Sequence, residues 1–349
     1  MPTASVNELL RQLPKAELHL HLEGTLLPDR VMSLAKKYSV SLAQNEITSR
    51  YSPRGFAQFL ELYKWATSFL REPEDYAQVA EDAVVALQQQ NVIYAEITLS
   101  IGVMLLRKQN VVANFRAIRE VFQRQAEADA QSRKCLQVQF IFDAVRQFGP
   151  ARAMEVARIT TELRNEGAVA FGLGGDELSF PLSDFREPFL YARDHGIHLV
   201  CHAGEIGGPE QIKDAIDVLG AERIGHGIAA IRSTALMNNL AEHKIPLEIC
   251  PTSNLRTNAL DIQLNSSNVS LCQHPLPRFF RQGIPVLIST DDPAMFHTTL
   301  NEEYSAALQM GLSLNDLFTI NRAAFEHAFL SNSLRQSFLS RLSAPIAIP

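Results

Sequence analysis

The chain has 349 residues, 46% hydrophobic and 20% charged, a length that fits two average domains or one α/β barrel. Its formal net charge is −6 and it contains no basic block of the kind that follows a phosphate backbone, so we expect no nucleic-acid partner. Its N-terminus lacks a basic segment followed by an apolar run, and no stretch approaches the roughly 18 apolar residues of a membrane span. We therefore expect a cytoplasmic protein with no membrane partner.

The first predicted strand, roughly Glu17–Leu22, carries two histidines, His19 and His21, two residues apart. Successive side chains of a strand point to opposite faces, so both imidazoles project from the same face. Such a pair suits a transition metal such as zinc, although two histidines in a strand can also be ordinary core or surface residues. Further ligands arriving at the same place would favour the metal.

A long helical segment, about 28–90, follows this strand, with apolar residues at spacings of three and four. It is far longer than one crossover helix requires. Its aromatic residues are explained by helix packing alone, but insertions after a barrel strand lie at the active face. Phe56, Phe59 and Leu60 are therefore candidates for an apolar lid over a site.

Seven more β-rich runs alternate with helix-length segments along the rest of the chain. Nearly continuous apolar strands, each followed by a helix, are typical of parallel strands buried on both faces. A doubly wound sheet would show a glycine-rich phosphate turn after its first strand, whereas this strand ends in HLHLEG. The sequence predicts one (β/α)8 TIM barrel domain over residues 1–349, with a helical insertion after strand 1. The seven runs are Val92–Ser100, Leu136–Val145, Ala168–Gly175, Ile197–Gly204, Glu222–Gly227, Ile245–Ser253 and Ile284–Thr290.

Histidines and carboxylates collect at the predicted C-terminal ends of these strands, where barrel enzymes carry their working residues. Three imidazoles and one carboxylate would hold a single zinc ion and leave a position open for water. A two-metal site with a bridging lysine from strand 4 is an alternative, but strand 4 has no lysine. The predicted ligands are His19, His21, His202 and Asp291.

Two further residues at strand ends could move protons. Glu205, three residues beyond His202, is a natural proton donor, and His226 could orient or deprotonate a water molecule. The remaining histidines fall in predicted helices, loops or strand beginnings, and we expect them to be structural or solvated. They are His195, His198, His243, His274, His297 and His327.

Six motifs match one known family in its order and across nearly the whole chain. They are PKAELHLHLEGT at 14–25, GGDE at 174–177, CHAGE at 201–205, RIGHG at 223–227, ICPTSN at 249–254 and STDDP at 289–293. In these motifs the sequence resembles the adenosine deaminase family of zinc aminohydrolases. The resemblance implies that hydroxide attacks C6 of a 6-aminopurine and that ammonia leaves.

The resemblance also assigns roles by position. Glu205 matches the glutamate that protonates purine N1, and His226 matches the histidine that positions the hydroxide. Asp292 matches the carboxyl group facing N7, and Gly175 matches the backbone group near N3. The four predicted ligands match the zinc ligands of the family. The candidate substrate contacts are His21, Glu23, Gly175 and Asp292.

Glu23 bears on the choice of substrate. Enzymes of this family that act on adenosine usually carry aspartate at this position, where it contacts the ribose, and adenine deaminases often carry glutamate. The other motifs are similar to a bacterial branch that includes aminodeoxyfutalosine deaminases. The resemblance therefore favours a small-molecule adenine nucleoside, or a 5′-modified derivative such as aminodeoxyfutalosine, with deamination of free adenine as the alternative.

Two other classes of function stay open at this stage. The same residues could serve a zinc-binding or purine-binding protein without activity, although every candidate ligand and proton donor is present. A hydrolase of another C–N or P–O bond could also use the same metal. An assay for ammonia release from purines would distinguish these two classes from a deaminase.

Overall fold

Eight parallel strands follow one another both in sequence and in space in the computed structural model, which describes residues 4–129 and 135–342. Each strand pairs with the next, as the predicted (β/α)8 barrel requires. The strands are β1 (Lys15–His21), β2 (Val92–Leu99), β3 (Gln137–Val145), β4 (Ala168–Gly174), β5 (His198–Ala203), β6 (Arg223–His226), β7 (Leu247–Ile249) and β8 (Val286–Ile288).

The barrel closes beyond the end of β8. Asp291 forms a parallel bridge with Leu20 of β1. Its N–H donates to the carbonyl oxygen of His19 at 3.0 Å, and the N–H of His21 donates to its carbonyl oxygen at 2.9 Å. The backbone contact that completes the ring therefore holds one predicted metal ligand beside two others.

All eight predicted strands are present, and the apolar pattern explains why. Strands β2, β6, β7 and β8 are buried along their whole length, as expected for parallel strands covered by helices outside and packed side chains inside. The largest difference is β7, which is shorter than the predicted run because a helix begins at Pro251, which lacks the N–H that a ladder needs. Strand β1 is fully buried although it contains four ionisable side chains.

Four helices lie between β1 and β2 and form the predicted helical insertion. The first begins at Pro28, a residue favoured in the first turn of a helix. Helix α1 (Ala4–Gln12) precedes β1. The four helices of the insertion are α2 (Pro28–Lys37), α3 (Gln44–Arg50), α4 (Phe56–Thr67) and α5 (Pro73–Gln89).

The remaining helices surround the barrel. None of the helices in the described part of the chain is long and apolar enough to cross a membrane. They are α6 (Ile101–Leu106), α7 (Val111–Ala128), α8 (Gly149–Glu162), α9 (Arg186–Asp194), α10 (Pro209–Asp217), α11 (Thr234–Glu242), α12 (Pro251–Arg256), α13 (Ala259–Leu264), α14 (Leu276–Arg281), α15 (Pro293–Phe296), α16 (Leu300–Gln309), α17 (Leu314–His327) and α18 (Asn332–Arg341).

Candidate active site

The four predicted metal ligands converge at the C-terminal end of the barrel. The Nε2 atoms of His21 and His202 lie 3.3 Å apart. Asp291 Oδ1 lies 3.4 Å from Nε2 of both His19 and His21. The four ligand atoms all fall within 4.8 Å of one another. Ligands about 2.0–2.1 Å from a tetrahedral zinc ion stand roughly 3.3 Å apart, so these spacings suit a metal of that size.

The chemistry of these donors also fits a metal ion. His19 Nε2 is buried and has no hydrogen-bond partner among the described residues. Burial lowers the pKa of His21 to about 4, and it holds the pKa of His202 well below its usual value. Both rings are therefore neutral at neutral pH, which is the form that coordinates metals.

Partners outside the cluster hold two of the ligands in place. His19 Nδ1 donates to Glu248 Oε2 at 2.7 Å, and Arg223 Nε donates to Glu248 Oε1 at 2.6 Å. Arg223 Nη2 donates to Glu96 Oε2 at 2.6 Å. A carboxylate on the far nitrogen fixes the tautomer and orientation of a metal-binding imidazole. Sequence reasoning missed these ion pairs. The available signal was one charged residue in each of three apolar strands: Glu96 in β2, Arg223 in β6 and Glu248 in β7.

Asp291 is held in a comparable way. Ser253 Oγ donates to Asp291 Oδ2 at 2.6 Å, which leaves Oδ1 facing the histidines. Neighbouring histidines outweigh the effect of burial and hold the pKa of Asp291 well below its usual value. The ligand is therefore a carboxylate with one oxygen already bonded and the other aimed at the cluster.

Glu205 lies on the loop that follows β5, and Glu177 holds that loop. The two carboxylate oxygens of Glu177 accept the backbone N–H groups of Glu205, Ile206 and Gly207 at 3.1, 3.1 and 2.5 Å. Thr257 Oγ1 donates to Glu205 Oε1 at 3.0 Å. Burial, reinforced by the nearby charges of Asp291 and Glu177, raises the pKa of Glu205 well above its usual value. The raised pKa favours the protonated form of Glu205, which is the form that a proton donor needs.

His226 ends β6 with a φ of 60°, in the left-handed region. Its Nε2 lies 3.7 Å from Glu205 Oε2 and 3.9 Å from Asp291 Oδ2. Its Nδ1 is 3.0 Å from Asn254 Nδ2. Burial lowers the pKa of His226 to about 3. The ring thus stands between the proposed proton donor and one metal ligand.

One cavity connects these groups to the helical insertion. Phe56, Phe59 and Leu60 of α4, the residues predicted to form an apolar lid, are among its lining residues. Trp65 points elsewhere and packs on Phe69, with ring centroids 5.5 Å apart. The other lining residues are His21, Tyr63, Lys64, Ser100, Val103, Asp143, Val145, Gln147, Phe148, Gly175, His202, Glu205, His226, Asp291 and Asp292.

Gly175 and Glu23 occupy different positions relative to this cavity. Gly175 lines it with a φ of +93°, a backbone conformation that is strained for any residue with a Cβ, so the position favours glycine. Glu23 is buried and its Oε1 accepts the N–H of Ser100 at 3.0 Å. The Ser100 hydroxyl is bonded to Tyr63 at 2.7 Å, and both of these residues line the cavity. Contact between Glu23 and a sugar stays a prediction.

Three carboxyl groups around this cavity keep one oxygen without a hydrogen-bond partner within residues 4–129 and 135–342: Asp143 Oδ1, Asp292 Oδ1 and Glu23 Oε2. Burial raises the pKa of Asp143 and of Asp292 well above their usual values, and it raises the pKa of Glu23 to about 7. Asp143 was not predicted. A lone carboxylate near the end of the apolar strand QFIFDAV was the available signal.

Comparison with known proteins is consistent with this site. The family model described as adenosine deaminase matches residues 14–345. The aminodeoxyfutalosine deaminase of Streptomyces avermitilis is 36% identical over 331 residues, which cover 93% of this chain and 89% of that protein. The adenine deaminase of Agrobacterium fabrum is 33% identical over 337 residues, covering 95% and 98%. The crystal structure of an adenine deaminase from Arthrobacter aurescens matches with a TM-score of 0.85 at 26% identity, covering 95% and 98%.

Proposed function

Because the chain belongs to the adenosine deaminase family, we propose that it removes the 6-amino group of an adenine nucleoside by hydrolysis, with one zinc ion. The observation that carries this proposal is the convergence of a four-ligand cluster, Glu205 and His226 at one cavity. Deamination of adenine-type compounds agrees with the matched relatives. The nucleoside and the zinc ion are the finer parts of the proposal.

Zinc is the metal that best suits these donors. Three imidazole nitrogens and one carboxylate oxygen favour a borderline ion over the hard cations that prefer oxygen alone. When bound, such an ion would lower the pKa of a water molecule to about 7 and so supply hydroxide at neutral pH. The residues that would hold it are His19, His21, His202 and Asp291.

Glu205 supplies the proton that the purine ring needs. As hydroxide forms a bond to C6, the C6–N1 double-bond electrons move onto N1, and protonated Glu205 transfers its proton there. The proton of the new 6-hydroxyl group then passes to the amino group, the C6–N6 bond breaks with its electrons leaving on ammonia, and a 6-oxopurine with hydrogen on N1 remains. A proton equal to the one released when water became hydroxide returns to the Glu205 carboxylate. The raised pKa of Glu205 supports this order, since the group holds its proton until N1 becomes basic.

Asp292 and Gly175 would orient the base. Asp292 has a raised pKa and a free Oδ1, so in its neutral form it can donate a hydrogen bond to N7, which is an acceptor. Gly175 brings backbone without a side chain to the cavity wall, where a backbone N–H could face N3. The apolar rings of α4 would cover the opposite face of the purine.

Several groups that line the cavity have no assigned contact with the base, which supports a purine with a substituent on N9. These groups are Lys64, Asp143, Gln147 and Phe148. Asp143 brings a buried carboxyl group to the lining, and a sugar hydroxyl could bond to it. A matched relative named adenine deaminase supports the alternative, deamination of the free base.

A substrate panel tests the proposal. Ammonia release is measured with adenosine, deoxyadenosine, aminodeoxyfutalosine and adenine, using zinc-loaded protein. We expect the highest kcat/KM with a nucleoside. A highest value with adenine would favour the alternative, and release from none of the four would contradict the proposed function.

The panel needs a control for contaminating deaminases. The Glu205→Gln variant, prepared in the same way, keeps the shape of the side chain but cannot transfer its proton. Release that persists at the same rate in this variant would not come from the proposed site.

A further inference from the structure

A chain of buried polar side chains lies behind His226 and has no role in the steps above. Asn254 on α12 forms a hydrogen bond with His226. The same residue forms a second hydrogen bond with His274, which lies just before α14. The exposed fractions of His226, Asn254 and His274 are 1%, 0% and 3%. In the sequence, nothing distinguishes His274 from the other histidines expected to be structural or solvated.

We propose that His274 and Asn254 are positioning residues that fix the tautomer of His226, so that its Nε2 carries the hydrogen and faces the reaction as a donor. The tautomer follows from hydrogen bonds alone. Its chemical consequence rests on the proposed function.

The chain of hydrogen bonds starts from a backbone N–H group, which can only donate a hydrogen bond. The backbone N–H of Leu276 donates to His274 Nδ1 at 3.1 Å. Since a backbone N–H cannot accept, His274 Nδ1 carries no hydrogen, and the ring must carry its hydrogen on Nε2. The low pKa of His274, about 3 because of burial, agrees with a neutral ring.

This tautomer sets the orientation of the Asn254 amide. His274 Nε2 lies 3.2 Å from Asn254 Oδ1, and a hydrogen on that nitrogen requires an acceptor at this place. The two ends of an amide are hard to distinguish by shape, so the bonding pattern must decide between them. Here the pattern is anchored in the backbone of Leu276, and it places the Nδ2 donor toward His226.

The amide in turn sets the tautomer of His226. Asn254 Nδ2 donates to His226 Nδ1 at 3.0 Å, so Nδ1 is an acceptor and the hydrogen lies on Nε2. That nitrogen faces the reaction side, 3.7 Å from Glu205 Oε2 and 3.9 Å from Asp291 Oδ2. Two carboxyl oxygens surround it, which is a suitable environment for an N–H donor.

The tautomer separates the two roles that the sequence left open for His226. A neutral ring with its hydrogen on Nε2 cannot accept a proton at that atom. It can donate a hydrogen bond to the oxygen that adds to C6 and stabilise the charge that develops there. His226 thus orients and stabilises, and does not deprotonate.

Nitrogen NMR of protein labelled with 15N in its histidine rings reads the tautomer directly. The His226 signals are identified by their absence in His226→Gln. In the wild-type protein, with and without zinc, we expect His226 Nδ1 to have the shift of an unprotonated nitrogen and Nε2 that of a protonated one. The reverse pattern at His226 would overturn the proposal, whatever the activity.

The Asn254→Asp variant tests the relay. A carboxylate at this position accepts from both rings, so His226 should move its hydrogen to Nδ1 while His274 keeps its own on Nε2. With the N–H donor lost from the reaction side, kcat should fall by about 10²-fold with little change in KM. An unchanged His226 tautomer in this variant would contradict the relay.

Asn239→Asp is the matched control, since Asn239 is exposed on α11. It makes the same chemical change away from the chain, and both the His226 spectrum and kcat should stay as in the wild type. If no purine is deaminated, the proposed function fails, while the NMR experiment still decides the tautomer.

Discussion

The two sides of the cavity differ in how their polar groups are satisfied. On the metal side, His19 and Asp291 already have short hydrogen bonds to Glu248 and Ser253. On the substrate side, Asp143 and Asp292 each keep a buried oxygen without a partner in the described ranges. Buried polar groups without partners reduce stability, so they persist where a ligand satisfies them. On the metal side, the protein orients the cluster and leaves His19 Nε2 without a partner among the described residues, where a metal ion could bind it. On the substrate side, the atoms left without a partner are carboxyl oxygens, which a substrate could satisfy.

The largest expected effect concerns Glu205, the proposed proton donor. Glu205→Gln should lower kcat by about 10²- to 10⁴-fold, because general acid catalysis contributes that much. Steady-state kinetics on the best substrate of the panel measures the change. Glu187→Gln, whose side chain is 75% exposed, is the control and should be unaffected. A kcat of the Glu205 variant within threefold of the wild-type value would contradict the role of Glu205 as proton donor.

On the metal side, the Glu248→Gln variant loses the carboxylate that orients His19. Zinc affinity should fall by about 10- to 100-fold, as is usual when such a partner is removed. Competition with a chromogenic chelator measures the affinity. Glu222→Gln is a matched control, because Glu222 also accepts from a histidine, His198, but at an exposed position. Equal affinities for the two variants would show that Glu248 does not support the ligand.

On the substrate side, Asp143→Leu removes the unpaired carboxyl group with little change in size. KM should rise by about tenfold, since one hydrogen bond in a buried site contributes roughly 1–2 kcal/mol. Zinc content should stay at the wild-type level. Asp184→Asn, at an exposed position, is the control. A KM equal to that of the wild type would mean that no substrate group reaches Asp143.

The smallest expected effect concerns the apolar cover. Phe56→Ala should raise KM by about fivefold and leave kcat nearly unchanged, because a ring that lines the cavity would contact substrate and transition state alike. Leu106→Ala, an exposed apolar residue on α6, serves as the control. A large fall in kcat with constant KM would instead place Phe56 in the chemistry.

The sequence allowed all eight strands and the four residues of the candidate metal cluster to be predicted, since both follow from short-range patterns. Apolar runs mark buried parallel strands, and the ends of such strands meet at one face of a barrel. His202 and Asp291 could be placed beside His19 for that reason, although they lie far apart in the chain.

The partners of these residues could not be predicted in the same way. Arg223 reaches Glu248 because of the register in which Ile224 pairs with Leu247, and register between distant strands is not visible in either strand alone. His274 meets Asn254 through the path of a loop. Which buried carboxyl group stays unpaired, as Asp143 does, depends on every neighbour at once.

The stability of two metal-free variants tests the difference between the two sides most directly. At pH 7, Glu248→Gln should lower the free energy of unfolding by about 3 kcal/mol, because it breaks a buried charged pair. Asp143→Leu should raise it by about 1–2 kcal/mol, because it removes an unsatisfied buried group. Denaturant titrations of both variants and the wild type supply the values.

The pH dependence of the free energy of unfolding provides a further test at Asp143. Its folded-state pKa is raised, so between about pH 4, the unfolded value, and that raised pKa the folded protein holds a proton that the unfolded chain has released. Wild-type stability from this group therefore falls as pH rises, and the advantage of Asp143→Leu should grow from pH 4 to pH 7. Opposite signs for the two variants at pH 7 are the predicted result, and loss of stability in both would contradict the account.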